Sequence, residues 1–472
     1  MRKYILSLII IIFLISIIYP QNHIENIYLI TVDTLRADHV GCYGNNSFTT
    51  PFIDSLARKG IIFKKAYSAS GTTCPSHASI FTGLYPSQHS VLANGYQLDD
   101  SYITLAEILR ANGYKTAAFV STDSQFIASN FNQGFDYFNE PEKFELKNYQ
   151  VYRLAQYTIE KSIKWINKNK QKKHFVWIHL FDPHIPYTLH KDIKNTLGKQ
   201  TDHSFLKNII SKKKVNLEIF GNSLNNYLNY ILSYNSEIRY IDNELNKVIT
   251  RLKEYNINKK SLLLLTADHG EALGQHNWLG HGKYLYNEIL HIPLIFYFFD
   301  ESIKNKSINT LVGNIQVFNT ILDLLHLNKD MKKNFFTKSL KPLIFSKKND
   351  SKAENSFVIS ERRHYTIPKK FSSKIPFWRK RYEKGKAIAI QNENFKFIFK
   401  NKLGNEFYNK TNDINELKNL ITSKKKIKKK NLNLLKNKLF IFLKSFPKGK
   451  AIKPVIVDKI IIRQLKSLGY IL

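Results

Sequence analysis

Acidic residues are scarce in this chain. Its 472 residues hold 37 Asp and Glu against 72 Lys and Arg, a formal net charge of +35. A surface so poor in acid suits anionic lipid, polysaccharide or nucleic acid. No recognisable nucleic-acid module accompanies the lysines, so no nucleic-acid partner is expected. Part of the charge reflects a Lys/Asn/Ile-rich composition and solvated faces, as in Ser423-Lys424-Lys425-Lys426-Ile427-Lys428-Lys429-Lys430. Cysteine is scarcer still. Cys42 and Cys74 allow at most one disulfide, and no bridge between them is expected. No internal repeat is present. Beyond the N-terminus no hydrophobic run approaches membrane-spanning length, which excludes a polytopic membrane protein.

The N-terminus carries the one long apolar run. Arg2-Lys3 precede an almost unbroken hydrophobic stretch from Tyr4 to Tyr19, a basic start and apolar segment as in an export signal. No small-x-small cleavage site follows it and no Cys offers a lipid attachment point. Residues 1–20 therefore read as a signal anchor or a signal peptide, which puts the rest in the cell envelope, extracytoplasmic, membrane-anchored or secreted.

Beyond that segment, strand and helix signals alternate from Ile27 to about Phe345. Asn26-Ile27-Tyr28-Leu29-Ile30-Thr31-Val32 is a short apolar run closed at once by Asp33, the pattern of a buried parallel strand presenting an acid at its C-terminal end. Ser261-Leu262-Leu263-Leu264-Leu265-Thr266 repeats it and ends in Ala267-Asp268-His269-Gly270-Glu271. Phe175-Val176-Trp177-Ile178-His179-Leu180 is a third such strand, delivering Asp182 and His184 to the same edge. Thr104–Leu109 and Tyr234–Leu252 have helical spacing, and Thr116–Val120 reads as a strand. Lys347 to Asn355 reads as a linker. Ala387–Ile390 and Phe395–Phe399 then read as antiparallel strands, with Leu435, Leu439 and Phe442 on one helix face. Residues 26–345 thus form a large α/β unit, and 356–472 a smaller α+β unit.

Chemistry concentrates in Thr73-Cys74-Pro75-Ser76-His77-Ala78. After Pro75 the chain reads as the first turns of a helix, with Pro near the first helical position. A hydroxyl placed there meets free backbone N–H groups and the positive end of the helix dipole, which suits a bound anion. Asp33, Thr73, Asp268 and His269 together supply oxygens and one imidazole nitrogen, a divalent-metal donor set.

Several ordered motifs resemble the sulfatases of the alkaline phosphatase superfamily. They are Val32-Asp33-Thr34-Leu35-Arg36-Ala37-Asp38-His39-Val40-Gly41-Cys42-Tyr43-Gly44, Thr49-Thr50-Pro51-Phe52-Ile53-Asp54, Thr73–Ala78 through Thr82-Gly83-Leu84-Tyr85-Pro86, and Phe181-Asp182-Pro183-His184-Ile185-Pro186-Tyr187. Ala267–Glu271, Gly280-His281-Gly282, Glu406-Phe407-Tyr408-Asn409 and the closing Leu468-Gly469-Tyr470 complete them. The resemblance implies an alkaline-phosphatase-like fold, a large mixed or parallel sheet sandwiched by helices with a smaller C-terminal α+β domain. It implies a metal-dependent hydrolase or transferase acting on sulfate or phosphate esters, with an anionic ester substrate that is a glycan or a lipid.

The departures from the family pattern redirect the chemistry. Sulfatases carry Cys or Ser at the first position of Cys/Ser-x-Pro-x-Arg and oxidise it to formylglycine. Here that position is Thr73, and the Arg position is His77. Cys74 does not restore the signature, because Ser76 and Ala78 stand where Pro and Arg are needed. Asp33-Thr34 replaces paired acids, Asp268-His269 replaces Asp-Asn, and the family's active-site Lys appears as His281. A Thr nucleophile with this ligand set looks more like the superfamily's phosphodiesterases and phosphoethanolamine or phosphoglycerol transferases. A threonine ester must be hydrolysed or handed to an acceptor, and a threonine hydroxyl needs a metal to become a nucleophile at neutral pH. The resemblance therefore assigns Asp33, Thr73, Asp268 and His269 to a divalent metal, Mn or Zn before Ca because of the imidazole. The catalytic candidates are Thr73, His77, His184 and His281. His184 and His281 bind non-bridging oxygens or protonate the leaving group, or else they ligate a second metal with Asp182. Lys283, His276 and Asp38 are weaker candidates. The competing expectation is a catalytically degenerate relative that binds an anionic glycan or lipid without turning it over.

Overall fold

The structure, a computed structural model, describes residues 24–445 except for 46–49, 123–124, 142–151, 195–209, 212–213, 256, 258–259, 328–336, 347–355, 363–385, 401–403 and 424–428. The N-terminal apolar run, the expected linker, most of the lysine cluster and the closing Leu468-Gly469-Tyr470 lie outside the described residues.

Apolar runs become the central sheet. In chain order its first strands are β1 (Asn26–Val32), β2 (Ile61–Tyr67), β3 (Lys115–Val120), β4 (Tyr137–Asn139), β5 (His174–Leu180) and β6 (Ser261–Ala267). A short hairpin, β7 (Ala272–Leu273) and β8 (Leu279–Gly280), precedes β9 (His291–Ile292), β10 (Leu294–Phe298) and β11 (Lys306–Gly313). The sheet order is β11-β2-β10-β6-β1-β5-β3-β4, with β9 paired to β2. β1 lies in the middle and is parallel to both β5 and β6. Every residue of β1, β5 and β6 is buried, as expected of strands covered on both faces. β10 runs antiparallel to β2 and β6, which makes the sheet mixed.

The longer helices of this part are α1 (Pro51–Lys59), α2 (Thr73–Thr82), α3 (Leu105–Ala111), α4 (Ala155–Asn169), α5 (Leu224–Glu254) and α6 (Gln316–Leu324). They flank the sheet, and one large apolar core runs through them. α2 starts at Thr73, two residues before Pro75, with Thr72 as the N-cap residue. Pro75 therefore sits in the third helical position rather than near the first, and it still costs nothing because the first N–H groups of a helix have no intrahelical partner. The helix ends on Gly83 in the left-handed region, φ 66°, where a side chain would also strike the ring of Phe318.

A second, antiparallel sheet follows, in the order β12 (Val358–Arg362), β13 (Ala387–Gln391), β14 (Phe395–Lys400) and β15 (Glu406–Asn409). Helix α7 (Lys429–Lys444) turns Leu432, Leu435, Leu439 and Phe442 onto it. β12 also touches the large part, through Glu361 N–H to Ala69 O at 2.8 Å. The molecule is thus an α/β fold with a large mixed sheet flanked by helices and a small antiparallel C-terminal sheet. Among the described residues no helix is long and apolar enough to cross a membrane.

Candidate active site

The register of the three central strands assembles the site. Val32 pairs with Leu180 on one side and with Ala267 on the other. The residues that follow, Asp33, Phe181 and Asp268, therefore leave the sheet together at its C-terminal edge, where ligands of parallel sheets collect. Asp33, Asp268 and His269 are fully buried, and each offers one ligand atom within 4.8 Å of the others.

The carboxylates are held unequally. Asp268 Oδ1 accepts the His269 N–H at 2.7 Å and the Thr34 N–H at 3.2 Å. Its Oδ2 has no hydrogen-bond partner, nor has either oxygen of Asp33. Buried oxygens without partners are costly. Burial pushes the Asp33 carboxyl up to about 7 despite the neighbouring His269, and burial together with Asp33 raises Asp268. A cation between these groups relieves both penalties, so the donor set fits a metal ion. His269 Nδ1 lies 3.0 Å from its own neighbour's carbonyl, Gly270 O. That contact places the ring proton on Nδ1 and leaves the Nε2 lone pair for a ligand. Gly270 has its own constraint, because a Cβ there would collide with the carbonyl oxygen of Glu288.

Thr73, buried at the first position of α2, brings its Oγ1 to 3.3 Å from His269 Nε2. The nucleophile candidate and the imidazole of the metal group are thus direct neighbours. His77, one turn on, faces backwards. Its Nδ1 is 2.9 Å from Thr73 O and its Nε2 is 3.3 Å from Thr31 Oγ1. Both ring nitrogens are engaged in the protein interior, among Phe126, Trp177 and His179. Burial lowers its pKa to about 3, so it stands neutral beneath Thr73, with Nδ1 3.8 Å from Asp268 Oδ2.

His184 and His281 meet on the other side of His269. The His281 ring centroid is 4.4 Å from that of His269 and 5.1 Å from that of His184. His184 stacks on Phe181 at 4.3 Å and sets its Nδ1 2.7 Å from Ile185 O. His281 Nδ1 is 3.0 Å from Glu271 Oε1. Burial keeps both histidines well below the ordinary value, and it pushes Glu271 up to about 8. Asp182 is held at one oxygen, and its buried Oδ2 has no hydrogen-bond partner. Its Oδ1 accepts the Ala155 N–H at 3.0 Å, so it serves the N-terminus of α4.

The weaker candidates take structural partners. Asp38 grips the Arg36 guanidinium with both oxygens, at 2.7 and 2.8 Å. His276 pairs with Glu288 at 2.6 Å and stacks on Tyr286. Lys283 places its Nζ 4.0 Å over the ring of Trp278.

Sequence reasoning passed over His179. Inside an apolar strand it reads as a core residue, but its register partner is Thr31. Its Nδ1 is 2.9 Å from Thr31 Oγ1 and its Nε2 is 3.5 Å from Asp33 Oδ2. The available signal was the histidine itself, three residues ahead of Asp182 in a strand expected to end at the same edge. Arg36 was likewise passed over. Buried, it donates to Glu271 O at 2.9 Å and to Gln275 Oε1 at 3.2 Å, bracing the loop after Asp268-His269.

Comparison with known proteins agrees with this geometry. The sulfatase family model matches residues 25–327, more than half of the chain. The chain is 22% identical over 453 residues to the uncharacterised sulfatase YidJ of Escherichia coli K12, covering 84% of this chain and 83% of that one. It is 24% identical over 392 residues to arylsulfatase K of Gallus gallus, covering 72% and 71%. The crystal structure of the phosphonate monoester hydrolase of Agrobacterium radiobacter superimposes with a TM-score of 0.71 at 18% identity, over 89% of this chain and 95% of that one. The chain belongs to the sulfatase family, and it is an ester hydrolase of that family.

Proposed function

We propose that this sulfatase-family enzyme attacks through the Thr73 hydroxyl and acts on phosphate esters in preference to sulfate esters, passing the phosphoryl group to water or to a second alcohol. The observation that carries this reading is the 3.3 Å approach of Thr73 Oγ1 to His269 Nε2, beside three buried carboxylate oxygens without hydrogen-bond partners, both of Asp33 and Oδ2 of Asp268. The side chain there is one that cannot become formylglycine. A formylglycine hydrate expels sulfate by collapsing to an aldehyde, whereas a threonine ester has no such exit. A phosphoryl-threonine can still be cleaved by an incoming alcohol or water.

Asp33, Asp268, His269 and the Thr73 hydroxyl are the residues that would hold a divalent ion, Mn or Zn before Ca because an imidazole completes the set. Such an ion supplies a Lewis acid that lowers the hydroxyl's pKa and neutralises charge on the phosphoryl oxygens. The protein's own part is positional. The N-terminus of α2 presents Thr73 Oγ1, and Gly270 O fixes the tautomer of His269. Thr73 Oγ1, its proton released to solvent, then forms a bond to phosphorus as the P–O bond to the leaving alcohol breaks. His184 and His281 rest neutral through burial, and a bound anion raises their pKa, so that each takes a second proton, donates it to a phosphoryl oxygen as a hydrogen bond and can pass it to the leaving group. The N-terminal sequence supports a site outside the cytoplasm, at the cell envelope, with the membrane reached through residues 1–20.

The test is turnover of aryl phosphodiesters, phosphomonoesters and aryl sulfates by the purified protein with manganese, zinc or calcium. A slow phosphodiester should leave a phosphate-mass adduct on the Thr73 peptide. Fast sulfate release without phosphodiesterase activity overturns the choice of phosphorus. No turnover of any ester with any metal makes the protein a binder of anionic glycan or lipid instead.

A further inference from the structure

Helix α7 has two unlike faces. Leu432, Leu435, Leu439 and Phe442 are buried against the small sheet, and Phe442 also meets Tyr85 edge-on at 4.9 Å. On the opposite side Leu434, Asn437, Phe440, Ile441 and Lys444 fall within one arc of roughly 120° at 100° per residue. Phe440 is 57% exposed, Ile441 54% and Leu434 39%. The helix carries five lysines, Lys429, Lys430, Lys436, Lys438 and Lys444, and no acid. Lys444 Nζ lies 4.4 Å over the ring of Phe440, while Lys436 and Lys438 border the packed side over Phe397 and Phe357.

An acid-free lysine frame around exposed aromatic and aliphatic side chains calls for a partner that is anionic and offers an apolar phase. A polyanionic glycan or a nucleic acid would satisfy the lysines and leave Phe440 and Ile441 in water. We propose that the outward face of α7 docks on an anionic lipid bilayer, with Phe440 and Ile441 entering the interfacial layer and the lysines meeting lipid phosphates. The net charge of +35 adds long-range attraction to the same surface. The docking face lies by the far end of the nucleophile's helix. Tyr85, which Phe442 touches, follows the C-terminus of α2, and α2 spans about 15 Å at 1.5 Å per residue from Thr73. Docking therefore leaves the active site open.

The test uses the full chain and vesicles of phosphatidylcholine alone or mixed equally with phosphatidylglycerol. In the Phe440→Trp variant, the added fluorescence should shift to the blue and be quenched by brominated acyl chains in the anionic vesicles, and high salt should reverse this. The N-terminal apolar segment and the overall positive charge act on the parent and on a variant of α7 alike, so the difference between those two proteins on anionic vesicles reports α7. The double variant Phe440→Glu/Ile441→Glu should lose at least about tenfold in partitioning to anionic vesicles and keep its rate on a soluble ester. Equal partitioning of the double variant and the parent overturns the proposal. So does a Phe440→Trp signal that vesicles do not change, including one already blue-shifted in buffer, which would mean that residues 446–472 or a second copy cover the face.

Discussion

Asp33 is the residue on which most of the site's electrostatics converge. It brings two unpartnered buried oxygens, while His179 behind it and His269 beside it supply the polar surroundings. Asp33→Ala, Asp268→Ala and His269→Ala should each lose bound metal together with activity, and metal analysis of the purified variants checks this. Thr73→Ala should abolish turnover while retaining part of the metal, because the other donors remain, and Thr73→Ser should stay measurably active. His179→Ala acts one step further out. It removes the imidazole 3.5 Å from Asp33 Oδ2, and metal affinity should fall by about 10–100-fold as for other groups that orient a ligand. Titration calorimetry reads that loss directly. Asp33, Thr73, Asp268 and His269 were legible in the sequence because each sits at a strand end or helix start, where the pattern breaks. His179 was hidden because its role depends on pairing with Thr31 in a neighbouring strand, and strand register is not written in either segment alone.

Among the elements, the β7–β8 hairpin has the most to hold. It joins Glu271 to His281 and reaches the small sheet's side of the molecule through His276. That histidine pairs with Glu288 and sits 3.1 Å from Glu416 O, while Glu416 accepts the Asn287 N–H and both bonds from Lys396. Lys396 and Glu416 are both fully buried. Removing one partner strands the other's charge, so Glu416→Ala should destabilise the fold by about 3–5 kcal/mol. Urea unfolding measures it. The loosened hairpin should also lower kcat under conditions where the variant is still folded. Strands β1, β5, β6, β13 and β14 could be read from their apolar runs together with their directions, but β10 could not. Leu294–Phe298 is as apolar as β6, and nothing in its composition says that it runs antiparallel. α5 begins at Leu224, ten residues before the spacing becomes convincing at Tyr234, because the Asn-rich first turns mask an N-cap at Ser223.

Across the whole molecule, buried neutral histidines lower stability in acid, while buried carboxyls pushed up to about 7, such as Asp182 and Asp242, act in the opposite sense. Away from the metal group, burial lowers His89 to about 3 and His174 to about 4. In the unfolded chain both titrate near 6.5. Above that pH neither state binds the proton and nothing is lost. As pH falls from about 6.5 toward 4, the unfolded chain takes up protons that the folded one refuses, so these two groups lower stability. His89→Asn and His174→Asn each remove one such contribution, so between about pH 6.5 and 4 their melting temperatures should fall by less than the parent's, as thermal unfolding at a series of pH values reads.

The same architecture fixes an order of events during synthesis. Thr73 and His269 lie 196 positions apart. At about 5–20 residues per second, roughly 10–40 s separate their emergence from the ribosome. Through that interval the hydroxyl and Asp33 exist without the imidazole and carboxylate of the proposed donor set. β1 meanwhile lacks β6, one of its two sheet neighbours. An ion captured early would find half a coordination shell on an unfinished sheet and dissociate. If the proposed donor set takes an ion, loading belongs after the chain is finished, and the ion abundant where the folded protein resides would decide its identity.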